Sequence, residues 1–228
     1  MENEFLATPS HPSQLPSTER KVREASKVRR EAERKALRST ILKAAGEVFL
    51  EKGYDAFSMR QVAVKIGYSA TTIYHHFVNK EDLLMALLDD AFAEFSDAMR
   101  KAIDAEPDPA AKMGAMGKAY VRFGMAHPTH YQLMYLRRPG WIVEKANAAG
   151  DAHREGYRML LAGVQEGVEK GWLPRTEPER LADWMWATVH GLVMLGLTEF
   201  ADKPERLEAA MTLFDLPPST PEEPGRCP

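Results

Sequence analysis

The sequence has 228 residues, of which 44% are hydrophobic, and its 30 Lys or Arg residues nearly balance 33 Asp or Glu residues. This composition is typical of one large globular domain or two small ones. Cys227 is the single cysteine, which excludes a disulfide framework, a zinc knuckle and a cysteine nucleophile in a structured site. The longest apolar stretch, residues 185–197, is shorter than the roughly 18 residues that span a bilayer. Since the N-terminus also lacks the basic and apolar regions of a signal peptide, the sequence predicts a cytoplasmic protein without membrane contact.

Charge is distributed unevenly along the chain. Residues 20–80 contain 14 basic and six acidic residues, whereas residues 81–228 contain 16 basic and 24 acidic residues. A basic segment on an otherwise acidic protein is typical of a module that binds a polyanion, joined to a part that does not. A solvated helix face is the alternative explanation for such a run of charges.

The two ends of the chain are rich in proline and have little apolar periodicity. Residues 1–18 and 217–228 are therefore predicted to be disordered tails. Between them, no stretch combines strand-like alternation with β-branched residues, and Gly and Pro stand at intervals typical of helix ends. The sequence predicts an all-α fold.

The first two predicted helices follow the N-terminal tail. The first covers about residues 24–52 and can end in a left-handed cap at Gly53. Its apolar stripe consists of Ile41, Leu42, Ala45, Val48 and Phe49. Ser58 and Gln61 have the spacing of a capping box, which opens a short second helix that Gly67 follows. The residues of this helix directed inward are Val62, Ala63 and Ile66.

A third and a fourth helix follow closely. Ser69 caps the third, predicted over residues 70–77, in which Ile73 and Phe77 share one face. Asn79 caps the fourth, which is longer and runs towards the prolines at positions 107 and 109. Its apolar stripe consists of Leu83, Leu84, Leu87, Leu88, Ala91 and Phe95.

Further helices are predicted downstream, several of them opened by a proline in the first turn. Their spans are 109–127, about 131–136, 141–170 closed by Gly171, 178–200 and 204–214, with a turn over residues 137–140.

The second and third helices, joined by a short turn at Gly67, have the plan of a helix-turn-helix. The third helix suits the major groove of DNA, because Ala70 permits close approach and Thr71 and Thr72 present hydroxyl and methyl groups to base edges. The cap at Ser69 leaves backbone N–H groups facing phosphate. The further predicted phosphate donors are Tyr74, His75, His76 and Lys80.

Several of these residues have alternative interpretations. Phe77 is interpreted as core, whereas Tyr74, one residue off the core stripe, is interpreted as a DNA contact. His75 and His76 point about 100° apart on a helix, so they are not expected to share a metal ion, and no metal or cofactor is predicted. For the basic residues 20–38, a solvated helix extension and an arm that contacts the minor groove or phosphates both stay open.

An ordered pattern over about residues 36–90 resembles the DNA-binding domain of TetR/AcrR-family transcriptional regulators. The residues that carry it are Ile41-Leu42, Ala44-Ala45, Phe49, Gly53-Tyr54, Ser58-Met59-Arg60, Val62-Ala63, Gly67-Tyr68-Ser69, Ile73-Tyr74, His76-Phe77, Asn79-Lys80-Glu81 and Leu83. Ser58 and Arg60 within this pattern are included among the predicted DNA contacts.

The C-terminal part resembles the ligand-binding domain of a TetR subgroup named for its Trp-His-Gly signature. The matching residues are Tyr120-Val121-Arg122-Phe123, His127-Pro128, Tyr131, Leu133-Met134, Trp186 and His190-Gly191-Leu192. The resemblance implies an inducer pocket, and a dimer interface formed by the last two helices.

Aromatic and Met side chains are dense in this C-terminal part, which suits a pocket for an apolar or aromatic inducer. The predicted lining consists of Tyr120, Phe123, Tyr131, Met134, Tyr157, Trp186 and His190, with His190 and the Tyr hydroxyls as polar groups. For Trp186 and His190, one turn apart on a helix face, a packed Trp beside a hydrogen-bonded His is the alternative.

Together these features predict a basic helical extension over residues 19–35, a helix-turn-helix domain over 36–90, and a ligand-binding and dimerisation domain over 91–216. The predicted function is a homodimeric regulator that binds a pseudo-palindromic operator in double-stranded DNA, with repression and release by a small-molecule inducer as the family default. An all-α metal- or carboxylate-dependent enzyme is one alternative, but no phosphate loop or nucleophile elbow supports it. A helical interaction module without DNA binding is another, against which the intact reading face over residues 69–76 argues.

Overall fold

The computed structural model describes residues 17–136, 139–141, 144 and 151–215. Within these ranges the protein is helical and contains no strand, which confirms the all-α prediction. Of the predicted tails, residues 1–16 and 217–228 lie outside the described residues, whereas residues 17 and 18 belong to the first helix. No helix in the described part combines the length and apolarity needed to cross a bilayer.

The helices follow one another with short connections. The first six are α1 (Ser17–Ala56), α2 (Met59–Ile66), α3 (Ala70–Tyr74), α4 (Lys80–Ala105), α5 (Lys112–Ala126) and α6 (Pro128–Tyr131), and a π-helical segment, Gln132–Leu136, continues α6. Further on are a 3-10 turn, Asp151–Arg154, then α7 (Glu155–Glu169), α8 (Pro178–Leu197), α9 (Pro204–Met211) and a last 3-10 turn, Thr212–Asp215.

The caps predicted around the helix-turn-helix are confirmed. The Gln61 side chain accepts a hydrogen bond from the Ser58 N–H at 2.9 Å, and the Ser58 hydroxyl accepts one from the Gln61 N–H, which completes the capping box. Gly67 ends α2 in the left-handed region, with φ 73° and ψ 26°. Ser69 and Asn79 each accept a backbone N–H three residues on, so that α3 and α4 begin where the sequence places them.

Two helix ends in this region differ from the prediction. Gly53 has a positive φ of 72°, but its ψ of 175° is extended, so it interrupts α1 without forming the predicted left-handed cap. α3 ends at Tyr74 instead of residue 77. The reason is that the N–H groups of His76 and Phe77 both donate to the Ile73 carbonyl, at 2.9 and 3.0 Å, which tightens the chain into a turn.

Further along, three predicted boundaries are wrong. α5 begins at Lys112 because Asp108 first closes a turn: its carboxylate accepts the Ala110 N–H and its carbonyl the Ala111 N–H, both at 3.0 Å. The helix predicted over 141–170 is broken by the 3-10 turn before α7, and residues 142, 143 and 145–150 lie outside the described part. α8 ends at Leu197, not at residue 200, because the Phe200 N–H turns back to the Leu195 carbonyl at 2.7 Å.

One apolar core runs through the molecule, and α4 contributes to both of its halves. Leu83, Leu84 and Leu87 are buried near its start, where α4 packs against α1, whereas Phe92 and Phe95 are buried further on. The Phe95 ring there packs against aromatic side chains of α5. The helix-turn-helix unit is therefore attached to the C-terminal bundle by a helix that both cores share.

α6 provides a second connection between the two halves. It packs against α1 at Gly46, where a Cβ atom would lie only 2.9 Å from Thr129 Cγ2 and 3.5 Å from Leu87 Cδ2. The missing side chain at Gly46 lets α1, α4 and α6 approach one another closely.

Candidate DNA-reading surface and ligand cavity

α3 divides its residues between core and solvent. Ile73 is fully buried, as is the Phe77 ring after the helix, which confirms both as core. Thr71, Tyr74 and His75 are exposed, with Tyr74 at 55% of its full exposure. An exposed face on a helix braced by α2 is what insertion into a groove requires.

The hydroxyl groups at the two caps are already hydrogen-bonded. Ser69 Oγ accepts the Thr72 N–H at 3.2 Å and lies 2.9 Å from Thr72 Oγ1. Ser58 Oγ lies 3.1 Å from Gln61 Oε1, to which it donates. The Thr72 hydroxyl is therefore within hydrogen-bond distance of the cap that begins α3. In this it differs from the other two predicted base-reading residues, Thr71 and the half-buried Ala70.

Lys80 lies on an aromatic support that the sequence analysis did not identify. Its ammonium is 4.1 Å from the centre of the Tyr54 ring and 3.5 Å from the Tyr54 carbonyl oxygen. The Tyr54 hydroxyl donates to Glu81 at 3.3 Å, and the Trp141 ring lies 5.6 Å from the Tyr54 ring. A lysine held over an aromatic face has its charge fixed in position, which suits a phosphate contact.

Positive charge collects at the end of α3. Arg38 lies 5.1 Å over the Phe77 ring. The pKa of His76 is lowered from its usual value, first by burial and then by the charges of Arg34, Arg38 and His75. Arg60, on α2, is exposed to solvent.

A cavity of about 860 Å³ lies inside the C-terminal bundle, which is within the range of small-molecule sites. Its walls come mainly from α4, α5, α7 and α8, with further residues from the π-helical segment, α9 and both 3-10 turns. The main apolar contributors are Phe92, Phe95, Met113, Met116, Tyr120, Tyr157, Leu160, Met185, Trp186, Val189, Leu192 and Phe214. The site is thus a largely apolar chamber with few polar groups.

Of the predicted ligand-binding residues, Tyr120, Tyr157 and Trp186 line this cavity. Phe123, Tyr131 and Met134 are buried in the core and are not among its lining residues. The wall residues missed from the sequence include Phe92, Phe95 and Phe214. Phe214 packs on Gly117 of α5, where a Cβ atom would lie 3.2 Å from Phe214 Cε1. The glycine on α5 and the aromatic residue near the C-terminus were therefore the sequence signals for this contact.

His190 lies behind the cavity wall in a cluster of aromatic rings. Its ring nitrogens lie 3.0 Å from the Tyr120 hydroxyl (Nε2) and 2.5 Å from the Tyr131 hydroxyl (Nδ1). The Trp186 ring, which lines the cavity, is 5.1 Å from the imidazole. Burial lowers the pKa of His190 to about 4, so the imidazole is neutral at physiological pH and joins the two tyrosines by hydrogen bonds.

Tyr157 makes the other strong polar contact of the wall. Its hydroxyl donates to Asp183 at 2.7 Å, and this hydrogen bond, with burial and the charge of Asp183, raises the pKa of Tyr157 to about 12.

Glu94, His127 and His130 bring potential metal-ligand atoms within 4.8 Å of one another on the bundle surface, which the sequence analysis did not foresee. The His130 Nδ1 atom is 3.3 Å from a Glu94 carboxylate oxygen but does not form a hydrogen bond of good geometry with it. The rings of His127 and His130 are parallel, with centres 5.6 Å apart.

A reading helix braced by α2 and attached to a helical bundle that holds an apolar cavity is the arrangement of a helix-turn-helix protein with a candidate ligand site. The family model described as "Bacterial regulatory proteins, tetR family" matches residues 41–87, which contain α2, α3 and the start of α4. The model "Tetracyclin repressor-like, C-terminal domain" matches residues 113–214, which contain most of the cavity wall.

Individual relatives agree with these matches. The chain is 33% identical to the fatty acid metabolism regulator protein of Bacillus subtilis over 151 residues, which cover 64% of this chain and 75% of that protein. It is 30% identical over 98 residues to the transcriptional activator FasR of Mycolicibacterium smegmatis, covering 43% of this chain and 45% of FasR. The match to the regulator UidR of Escherichia coli, 38% identical over 58 residues, spans 30% of that protein.

Solved structures share the fold. The transcriptional regulator FadR from Bacillus subtilis in complex with stearoyl-CoA superposes with a TM-score of 0.66 at 20% identity, covering 79% of this chain and 97% of that one. FadR from Bacillus halodurans gives the same TM-score and identity, with coverage of 78% and 93%. The chain belongs to the TetR family of bacterial regulatory proteins, and these named relatives are regulators rather than enzymes.

The buried His190 makes a prediction about stability and pH. Its pKa is about 4 in the folded protein, below its usual 6.5, so the unfolded chain binds the proton more tightly. The folded state should therefore lose stability as the pH falls from about 6.5 towards 4. His190→Gln should show a smaller loss in urea unfolding free energy between pH 7 and pH 5 than the wild type. Part of the loss should remain, because burial also lowers the pKa of His130. Equal losses in the two proteins would contradict the assignment.

Proposed function

We propose that this protein is a homodimeric DNA-binding regulator whose affinity for its operator is controlled by an apolar ligand in the C-terminal cavity. The observation that carries the proposal is the combination of an exposed reading helix and an apolar cavity of about 860 Å³, to both of which the helix α4 is connected. The names of its relatives include both an activator and a repressor. We propose that this protein acts as a repressor and that ligand binding releases it from its operator.

The residues proposed to contact DNA are those that are exposed on α3 or held in position beside it by a neighbouring side chain. Thr71, with Ala70 and Thr72 beside it, would meet base edges in the major groove. Lys80, on the Tyr54 ring, and the exposed Tyr74 would meet phosphates and fix the register of α3 on the duplex. Arg60, His75 and His76 surround this surface. We assign Ser58 and Ser69 a positioning role through the caps that they make, since their hydroxyls are bonded within the chain.

The proposed dimer interface lies on α8. Trp184 and Leu195 are exposed on this helix at 66% and 38%, and a Cβ atom at Gly191 between them would touch nothing within 4 Å. Together with Thr188, these residues follow 4-3-4 spacing and lie on one face. A second copy of the chain is the proposed occupant, because one five-residue reading helix reaches too few base edges for genomic specificity.

The proposed ligand is an elongated apolar molecule. The cavity wall is dominated by Phe, Met, Leu and Trp side chains, and its polar lining residues are Tyr120, Tyr135, His153, Arg154, Tyr157 and Thr188. The B. subtilis relative whose title records stearoyl-CoA supports a fatty acyl chain as the first class to test. Such a ligand would be held mainly by burial of apolar surface.

Ligand control would act through α4. Phe92 and Phe95 belong to the cavity wall, whereas Leu83 and Leu87 on the same helix are buried near the helix-turn-helix. A ligand that favours one tilt of α4 would change the separation of the two reading helices in a dimer. A preference of about 1 to 3 kcal/mol between the two arrangements changes operator affinity about 5- to 150-fold.

The finer assignments belong to this proposal. Trp186, His190 and Gly191 on α8 support membership of the Trp-His-Gly subgroup within the family. The division into a basic extension over residues 19–35, a DNA-binding domain over 36–90 and a ligand-binding domain over 91–216 is likewise proposed. α4 crosses the last of these boundaries without a break.

The DNA-contact assignments predict two kinds of variant. Lys80→Ala should weaken binding to all sequences, and its slope of log K against log salt should flatten by about one unit. Thr71→Ala should instead relax the preference between the operator and mutated operators. Both are measured by fluorescence anisotropy on DNA from upstream of the protein's own gene. Lys101→Ala, an exposed lysine near the end of α4, is the control. An unchanged salt slope for Lys80→Ala, or an unchanged preference for Thr71→Ala, would contradict the roles.

The interface assignment predicts that Gly191→Glu converts the dimer to a monomer. The new side chain has free space within its own chain but would place a charge in the middle of the proposed interface. Ala93→Glu, which adds the same charge to an exposed position of α4, should stay dimeric. Sedimentation at micromolar concentration checks both. A wild-type protein that is monomeric and still binds its operator tightly would contradict the proposed interface.

The cavity assignment predicts that Trp186→Ala weakens ligand binding about 10-fold or more, since a buried aromatic surface is lost. Ligand-induced release from the operator should fall accordingly, while operator affinity without ligand persists. Trp172→Ala is the matched control, because Trp172 lies outside the wall of this cavity. Stearoyl-CoA, octanoyl-CoA and free stearate are the probes, and release is followed on labelled operator DNA. Ligands that bind both variants equally, or bind without altering operator affinity, would refute the assignment.

A further inference from the structure

The N-terminal part of α1 carries a continuous row of basic residues. Arg20, Arg23, Lys27, Arg30, Arg34 and Arg38 are spaced by three or four residues, and all six are exposed. At about 100° per residue they fall within an arc of about 80° on the helix surface. We call these six residues the basic stripe. It extends for about 27 Å along the helix axis, at about 1.5 Å per residue.

Acidic and other basic residues of this segment lie elsewhere around the helix. Lys21, Arg29 and Lys35 fall on other faces, and Arg29 forms an exposed contact of 3.7 Å with Glu33. Glu24 and Glu31 lie beside the stripe but not within it. Because random placement of nine basic residues would not put six on one narrow face, the stripe has the character of a binding surface.

The stripe is the N-terminal continuation of the face that α1 buries in the core. The same 3-4 spacing leads from Arg34 and Arg38 to Ile41 and Ala45, which are fully buried. The face therefore changes from apolar to basic at the point where α1 extends past the helix-turn-helix. Arg38 lies over the Phe77 ring there, so the stripe emerges beside the end of the reading helix.

We infer that the basic stripe binds DNA phosphates that flank the site read by α3. This inference rests on the proposed function and extends it to DNA outside the helix-turn-helix contacts. A rigid helix matches a polyanion of regular charge spacing, and 27 Å corresponds to the rise of about eight base pairs. Arginine dominates the stripe, with five of its six positions, and its planar fork suits phosphate oxygens.

Two triple variants with the same loss of charge test the inference. Arg23→Gln/Lys27→Gln/Arg30→Gln neutralises the stripe, and Lys21→Gln/Arg29→Gln/Lys35→Gln neutralises other faces of the same helix. All six side chains are exposed, so both proteins should fold. Binding is measured on DNA from upstream of the protein's own gene, in a duplex cut to the helix-turn-helix footprint and in one extended by about ten base pairs at each end.

The stripe variant should lose about 10-fold or more in affinity for the extended duplex and should bind the short duplex nearly like the wild type. Its salt slope on the extended duplex should flatten by two to three units, about 0.9 per lost phosphate contact. Its hydroxyl-radical footprint should shorten at the outer ends, whereas that of the control variant should not. Equal behaviour of the two variants on the extended duplex overturns the inference alone. A wild-type protein that binds neither duplex at low salt overturns both the inference and the proposed function.

Discussion

The architecture depends on α4 being one uninterrupted helix. Its 26 residues contain neither Gly nor Pro, so nothing in the sequence lets it bend between its two ends. Leu83 and Leu87 are buried at one end and Phe95 and Met99 at the other, and the two cores cannot reorient independently while these contacts persist. Because packed interiors resist small deformations, the proposed ligand effect at the cavity end would be transmitted as a tilt of the whole helix.

α6 adds a second constraint between the same two parts. Thr129 is packed against Gly46 of α1, and two residues later Tyr131 is bonded to His190 at the back of the cavity wall. Lys80 is joined to the bundle in a similar way, since its Tyr54 support packs against Trp141. The helix-turn-helix is thus held at several points, which limits its motion relative to the bundle to a few concerted rearrangements.

The caps and core of the helix-turn-helix could be predicted from the sequence, apart from the ends of α1 and α3, because their signals are local. A capping box at Ser58 and a glycine at position 67 each act within one helical turn. The cavity wall could be predicted only in part. Aromatic density indicated a pocket, but Phe123 and Tyr131 face the core while Phe95 and Phe214 line the chamber. Which side of a helix faces a void is decided by tertiary packing, and no short-range pattern records it. The shortened α3 was missed because its end depends on the His76 and Phe77 N–H groups both donating to the Ile73 carbonyl, which no cap residue signals.

Two polar groups of the cavity wall, the hydroxyls of Tyr120 and Tyr157, are already hydrogen-bonded, and this restricts how a ligand can act on them. The Tyr157 hydroxyl is bonded to Asp183, and the Tyr120 hydroxyl to a neutral His190 that also holds Tyr131. An apolar ligand of the proposed kind would leave these hydrogen bonds intact and would contact Phe92 and Phe95 of α4. A ligand with a polar head that reaches Tyr120 must instead compete with His190, and the imidazole then keeps Tyr131 as its one hydroxyl partner. Since Tyr131 ends α6, a polar head would act on the α6 connection and an apolar body on the α4 connection, so the chemistry of the ligand selects which connection moves.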